Sequence, residues 1–399
     1  MIKYVFTLVF TVCISFMYAQ KFEDLAQTPP MGWNSWNKFN CNVSEQLIKE
    51  TADAMVSSGM KAVGYQYIVI DDCWQIERDP NGKIVADPER FPSGIKALVD
   101  YVHGKGLKFG IYSCAGTKTC QERPGSHGKE LMDAKTYADW GVDYLKYDWC
   151  FTDGIEPISA YTTMSEAIRE AGRPMVFSIC EWGLSKPWTW AATVGHLWRT
   201  TYDIRDWYDG EIEGNFLGWS IILDKQVGLE RYSGPGHWND PDMLEVGNGR
   251  QTNTEYQAHF SFWALLNAPL IAGNDLRNMD ARTIEILTNK EVIAVNQDRL
   301  GKQGYKIFDS GDTEVWCKNL YNGDYCIILF NRASSSQQVA VQWEMIAPEL
   351  ATSSYMVRDL WKHKNLGYFK YGFNAEIPSH GAKMIRLTTM DKMKLNLTP

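Results

Sequence analysis

The feature that most restricts this chain is its rhythm. From Thr28 to Gly301, short apolar runs alternate with segments of helical period. The strand-like runs are "MGWNSW" (31–36), "YQYIVIDD" (65–72), "LKFGIYS" (107–113), "VDYLKYD" (142–148), "PMVFSICE" (174–181) and "HLWRTTYD" (196–203). Helical patterns over 44–59, 94–106, 134–141 and 158–172 lie between them, and Gly59, Gly106 and Gly141 stand where helices are expected to stop. A repeated β-α order predicts a parallel sheet. About eight units over roughly 270 residues suit a closed (β/α)8 barrel better than an open sheet. The fold class is therefore α/β, with a TIM barrel over 21–301.

The period changes after "NQDRLGKQG" (296–304). "EVWCKNLYNGDYCIILF" (314–330) reads strand, Asn-Gly turn, strand, and "QQVAVQW" (337–343) and "AKMIRL" (382–387) add strands with no helix between them. Residues 302–399 are expected to form a smaller antiparallel β domain, a sandwich. With Asn322-Gly323 as a two-residue turn, Cys326 would face Asn319.

Residues 1–20 carry one Lys and then an apolar run, the pattern of a secretory signal peptide. The mature chain is expected to be exported, either periplasmic or secreted, with no membrane insertion after cleavage. Export makes disulfides permissible. Nine cysteines include Cys13, and no CxxC occurs, so a zinc site of the usual spacing is not expected. His103, His127, His196, His237 and His259 show no metal-ligand spacing either. A net charge of −8 without a Lys/Arg run argues against nucleic acid or an anionic membrane surface as partner. Sixteen Trp suit a ligand with flat apolar faces, such as a sugar, but a Trp-rich core explains them equally.

In a barrel of this kind, side chains at the C-terminal ends of strands line the active site. Several of these strands end in charge: Asp71 and Asp72, Lys146 and Asp148, Glu181, Arg199 and Asp203, and Asp242 farther on. Converging carboxylates at one mouth are costly unless something uses them. Two carboxylates flanking a bond are the minimum equipment for glycoside hydrolysis. Asp148 suits a nucleophile, and Lys146, two residues away on the same strand face, is expected to favour its ionised form. Asp203 suits the acid/base, with Arg199 on what reads as the same strand face.

The motifs "MGWNSW", "DDCW", "KYDWC", "CEWG", "WRTTYD" and "NDPDML" occur in the order and spacing of glycoside hydrolase family 27, and from Pro29 to Gly304 the chain resembles that α-galactosidase (melibiase) family. The resemblance implies a retaining exo-α-galactosidase that removes terminal α-linked D-galactose from oligo- or polysaccharides through a covalent glycosyl-aspartate, with no cofactor and no metal. It makes Asp148 the nucleophile and Asp203 the acid/base. It places Asp71 and Asp72 at the galactose 4- and 6-hydroxyls, Lys146 at the 3- and 4-hydroxyls, and Arg199 and Glu181 around the 2-hydroxyl. Trp36, Tyr112, Cys120, Cys150, Asp242 and Met243 match other pocket positions. Retention implies carboxyls about 5–5.5 Å apart. Glu181 and Leu184 are the bulky pair that leaves no room for an acetamide, and Asp71 fits a galactosidase rather than a β-L-arabinopyranosidase. Disulfides Cys41–Cys73 and Cys120–Cys150 are implied in the same way.

Two departures stand out. Gly195 replaces a cysteine that some relatives pair with the Cys of "CEW", so Cys180 is expected to be unpaired. Trp149 follows the nucleophile where relatives often have a small or polar residue. Cys317 and Cys326 are expected to be free, and Cys114 is left unassigned. The alternatives are a β-L-arabinopyranosidase or α-N-acetylgalactosaminidase of the same family and, from another class, a non-catalytic galactose-binding protein. Oligomeric state is left open. The sequons at Asn42 and Asn396 matter only in a host that glycosylates them.

Overall fold

The computed structural model describes residues 21–212 and 215–389. The expected signal peptide and the Asn396 sequon lie outside the described residues.

Eight parallel strands form one sheet in which each neighbours the next in sequence. They are β1 (Met31–Asn34), β2 (Tyr67–Val69), β3 (Lys108–Cys114), β4 (Tyr144–Asp148), β5 (Val176–Cys180), β6 (Leu197–Arg199), β7 (Trp238–Asp240) and β8 (Leu270–Ala272). β8 pairs β1, and the segment just after β7 closes the circle through a parallel bridge from Leu244 to Ala272. The expected (β/α)8 barrel is present. Each strand is short because the barrel needs only enough residues to cross its own filled interior.

Helices return the chain between strands: α1 (Glu45–Ser57), α2 (Gly94–Gly104), α3 (Glu130–Trp140), α4 (Pro157–Ala171), α5 (Trp219–Asp224), α6 (Asn253–Leu265), α7 (Ala281–Leu287) and α8 (Lys290–Asn296). Gly59, Gly106 and Gly141 follow α1, α2 and α3 with φ of 86°, 67° and 89°, the left-handed stops that the sequence suggested. Between β5 and β6 no α-helix forms; two short 3₁₀ turns, Pro187–Thr189 and Ala191–Thr193, span the gap. Eight of the sixteen Trp are fully buried, so the Trp abundance is largely core.

The run at 196–203 is not one strand. It ends at Arg199, and Asp203–Ile204 belongs to a separate small sheet with Phe216–Leu217 and Glu211–Ile212.

After the barrel comes an antiparallel sandwich. Its larger sheet has β9 (Tyr305–Asp309), β10 (Thr313–Asn319), β11 (Tyr325–Asn331), β13 (Ser354–Asp359), β14 (Lys364–Lys370) and β16 (Ala382–Thr389). The smaller pairs β12 (Gln337–Gln342) with β15 (Gly372–Ile377). Val315, Ile327, Leu329 and Val357 of the larger sheet pack on Val339, Val341 and Phe373 of the smaller. The other face of the larger sheet joins the barrel core through Trp316, Ile328 and Phe330, and Phe262 of α6 meets Trp316 and Phe330 edge-on at 5.6 and 4.9 Å. The β10–β11 hairpin differs from expectation. Asn319 pairs Tyr325, so the loop runs over five residues, 320–324, and Cys326 faces Lys318 rather than Asn319. Successive strand residues alternate faces, so Cys317 enters the sandwich core and Cys326 the barrel-facing core. Both are free, as are Cys114 and Cys180.

Candidate active site

The parallel register stacks polar residues in rungs across the sheet. Tyr112, Lys146 and Ser178 share one rung of β3, β4 and β5, and Cys114, Asp148 and Cys180 share the rung at the C-terminal edge. Arg199 sits beside Asp240 on the β6–β7 edge. The loops that follow these strands make the mouth. Cys73, Phe151, Trp182 and Asp242 come a few residues after a strand end, and each is a non-glycine residue with positive φ, at 75°, 51°, 58° and 81°. Such backbone costs on the order of 1 kcal/mol or more per residue and clusters at functional sites.

Asp148 is only 7% exposed. Its Oδ1 accepts the Trp149 backbone N–H at 2.9 Å and its Oδ2 accepts the Tyr112 hydroxyl at 2.7 Å. The Cys120 sulfur lies 3.3 Å from Oδ2. Burial pushes Asp148 up to about 6; the Lys146 charge pulls against this, Asp203 adds to it, and the Tyr112 hydrogen bond opposes it. As expected, Lys146 favours the Asp148 anion, but burial has the larger effect and lifts the carboxyl above its ordinary value. Lys146 Nζ donates to Asp71 Oδ2 at 2.7 Å. Desolvation works against the Lys146 ammonium, yet Asp71 and the other nearby anions hold it protonated.

Asp71 also accepts from Asn34 Nδ2 at 2.7 Å and from the Asp72 N–H at 2.9 Å. Asp72 accepts the N–H groups of Cys73 and Gln121 at 2.7 and 3.0 Å, and burial raises its pKa. The Gln121 bond ties the loop after β3 to the end of β2.

Arg199 is buried and central to the opposite wall. Its Nη2 reaches Asp203 Oδ1 at 3.1 Å and Asp242 Oδ2 at 2.9 Å, and donates to the Thr201 carbonyl at 3.1 Å. Asp242 Oδ2 also accepts the Ile204 N–H at 2.8 Å. Asp203 is thus not placed by its own strand face, as the sequence suggested. It is placed by Arg199 beside it and by Asp242 gripping the next peptide. Removing either buried member, Arg199 or Asp242, costs about 3–5 kcal/mol, because its partner is left unpaired. The side chain of Asp203 keeps 34% of its surface exposed, in contrast with Asp148.

Two disulfides frame the mouth, Cys41–Cys73 and Cys120–Cys150. The loop after β3 lies so close to the loop after β4 that a Cβ on Gly116 would fall 2.0 Å from the Cys150 carbonyl oxygen. Only glycine permits that approach. A cleft of about 520 Å³ opens here, lined by Trp36, Cys120, Cys150 and Asp203. Trp182, Tyr202, Arg205 and Phe216 also line it, and the sequence reading had not singled them out. Trp182 and Tyr202 stack at 6.0 Å, and Arg205 lies 4.0 Å over the Phe216 ring. Trp182 lies within the CEWG motif, but nothing local separates a cleft Trp from a core Trp.

Of the remaining candidates, Glu181 is fully buried, accepts the Ser185 N–H at 2.7 Å, and is pushed up to about 7 by burial. Leu184 is 53% exposed; like Asp148, Lys146, Asp71, Asp72, Tyr112, Glu181, Arg199, Asp242 and Met243, it lies outside the lining of this 520 Å³ cleft. Met243 is buried and donates its N–H to Asp242. A cysteine at position 195 would meet Ile179, since a Cβ there falls 2.8 Å from its side chain. Trp149 stacks on Tyr161 at 5.5 Å, away from the carboxylates.

The sequence model of the family described as Alpha galactosidase A matches residues 28–298, and that of its C-terminal β-sandwich domain matches 310–387. The chain belongs to the α-galactosidase family. α-Galactosidase A of Cellvibrio japonicus is 55% identical over 384 residues, spanning 93% of this chain and 94% of that protein. The crystal structure of α-galactosidase I from Mortierella vinacea superimposes with a TM-score of 0.90 at 42% identity, over 92% of this chain and 98% of the other. The Saccharomyces cerevisiae α-galactosidase solved with raffinose gives 0.89 at 31% identity, over 92% and 99%. As a member of this family the chain is a glycoside hydrolase. Among the described residues no helix is long and apolar enough to cross a membrane.

Proposed function

We propose that this enzyme is a retaining exo-α-galactosidase with Asp148 as nucleophile and Asp203 as acid/base. The observation that carries the assignment is the contrast between the two carboxylates. Asp148 is buried on a strand end and held on both oxygens, as an in-line nucleophile must be. Asp203 is about one-third exposed at the cleft, where a leaving group and then a water can reach it.

In the first step Asp203 donates its proton to the glycosidic oxygen while Asp148 Oδ attacks the anomeric carbon. The C–O bond breaks, the aglycone leaves as an alcohol, and an ester to Asp148 remains. Esterification removes the negative charge near Asp203, which then takes a proton from water as that water attacks the same carbon. The second inversion restores the configuration and frees Asp148.

Asp71, Asp72 and Lys146 bind the galactose hydroxyls, with Arg199 and Glu181 at the 2-hydroxyl. Lys146 is already fixed on Asp71, and Arg199 on Asp203 and Asp242, so these groups meet the sugar already aimed, with little reorganisation during reaction. Exo-action on a terminal galactose is part of this proposal and is supported by the family. The family's glycosidic specificity and the raffinose-bound yeast neighbour support galactose as the sugar. The apolar N-terminal run and the two disulfides support export.

The test is turnover of p-nitrophenyl α-D-galactopyranoside by the enzyme and by Asp148→Asn, beside the β-L-arabinopyranoside analogue. Galactoside turnover that disappears in the variant is expected. Preference for the arabinoside would overturn the reading of Asp71, and an active variant would overturn that of Asp148.

A further inference from the structure

A second cleft, of about 450 Å³, lies between the barrel and the β-sandwich. Its barrel wall is Asn253, Thr254 and Gln257 from the first turns of α6, with Arg282 and Glu285 from α7. In a (β/α)8 barrel the helices run opposite to the strands. The first turns of helices therefore lie at the same end as the C-terminal ends of the strands. This cleft is accordingly at the same end of the barrel as the catalytic mouth.

Its other wall centres on Trp361, which is only partly buried. The ring is pinned from below. Its Nε1 donates to Ser261 Oγ of α6 at 2.9 Å, and Phe260 meets it edge-on at 6.3 Å. The backbone N–H groups of Trp361 and Lys362 both donate to Asp359 Oδ1, at 3.1 and 3.0 Å. An indole with its polar edge already satisfied presents an apolar surface of fixed orientation.

The charges around it cancel. Arg282 donates to Glu285 at 2.7 Å and to Gln257 Oε1 at 2.5 Å, and Lys383 donates to Asp359 at 2.8 Å. With Lys362 and Glu376 the cleft has three cations and three anions among its lining residues. A phosphate or carboxylate ligand would find an acidic partner beside each paired base. Hydroxyl groups, which both donate and accept, match fixed ion pairs at no net charge cost.

We propose that the Trp361 cleft is an accessory saccharide subsite that holds a neutral hexopyranosyl chain while a galactose branch of that chain reaches the catalytic pocket. The inference rests on the proposed galactosidase action, and it gives the β domain a part in polymer binding that neither domain alone supplies.

The probes are galactomannan and β-1,4-mannohexaose, titrated calorimetrically into the full chain carrying Asp148→Asn to prevent turnover. Adding Trp361→Ala is expected to weaken binding of both by about tenfold, the contribution of one aromatic platform. Because Trp361 also touches the barrel, Arg282→Ala is the second variant; it leaves the ring in place and is expected to weaken both by a smaller factor. In the otherwise natural sequence, both changes should raise KM for galactomannan and leave kcat/KM for the aryl galactoside unaltered. Unchanged galactomannan and mannohexaose affinity in both variants overturns the subsite. Binding that vanishes in high salt overturns its neutral-ligand chemistry. An aryl galactoside left unhydrolysed, with mannohexaose binding still sensitive to Trp361→Ala, would sink the catalytic reading and leave the subsite standing.

Discussion

Asp148→Asn should make the folded protein more stable as well as inactive. The carboxyl is buried, and its pKa is pushed from an ordinary 3.8 to about 6. Between those two values the unfolded chain has released the proton and the folded chain still holds it. Stability contributed by this group is thus fully present below about pH 4 and is lost as pH rises through about 6. The slope is about 1.4 kcal/mol per pH unit, so holding an ionised Asp148 costs the native state about 3 kcal/mol at neutral pH. Asparagine has nearly the same shape. Its Oδ1 accepts from the Trp149 N–H, and its Nδ2 donates to the Tyr112 hydroxyl, which turns to accept. The variant should therefore gain most of that 3 kcal/mol at pH 7 and almost none at pH 3.5. Thermal midpoints of both proteins by calorimetry across this pH range read the difference directly. Other buried acids, including Glu181 and Glu245, titrate in both proteins and cancel in the comparison. A variant no more stable at pH 7, or a gain that does not shrink on acidification, would refute the idea that this carboxylate is held against its own solvation.

Three further outcomes are expected. Tyr112→Phe removes a charge-assisted hydrogen bond from Asp148 and should move the acid limb of the kcat/KM profile up by about 1 pH unit; a limb that stays put or moves down refutes the role of Tyr112. Asp203→Ala should lower turnover of unactivated galactosides by about 10²–10⁴-fold, much less for aryl galactosides with good leaving groups, and added azide should restore rate by replacing the deprotonated water; equal losses on both substrates contradict acid catalysis. Replacing Cys120 and Cys150 together by Ser frees the loops beside Asp148 and should reduce kcat far more than the thermal midpoint, with Cys41–Cys73 intact; the reverse pattern would mark the bridge as a structural staple only.

Local sequence carried the barrel because hydrophobic period is a local property. The β-α alternation, the glycine stops after α1, α2 and α3, and the change of period near residue 304 all survive in the structure. The sequence also brought the charged strand ends together, since a closed parallel barrel leaves them one shared mouth. It could not say who pairs with whom there. Lys146 stands two residues from Asp148 on one strand, yet its ammonium is 2.7 Å from Asp71, just past the end of another strand and 75 positions away. Asp203 reads as the end of the Arg199 strand, but a break after Arg199 and the grip of Asp242 put it on its own small sheet. The hairpin loop is five residues rather than two, because Leu320 and Asp324 bond across it and shift the register. The cleft aromatics Trp182 and Tyr202 look no different in sequence from the eight Trp in the core. Composition, period and motif order are written along the chain and determine the fold and the set of candidate groups. Burial, partner choice and the pKa of Asp148 depend on what the other strands place within a few ångströms, and only the tertiary structure decides that.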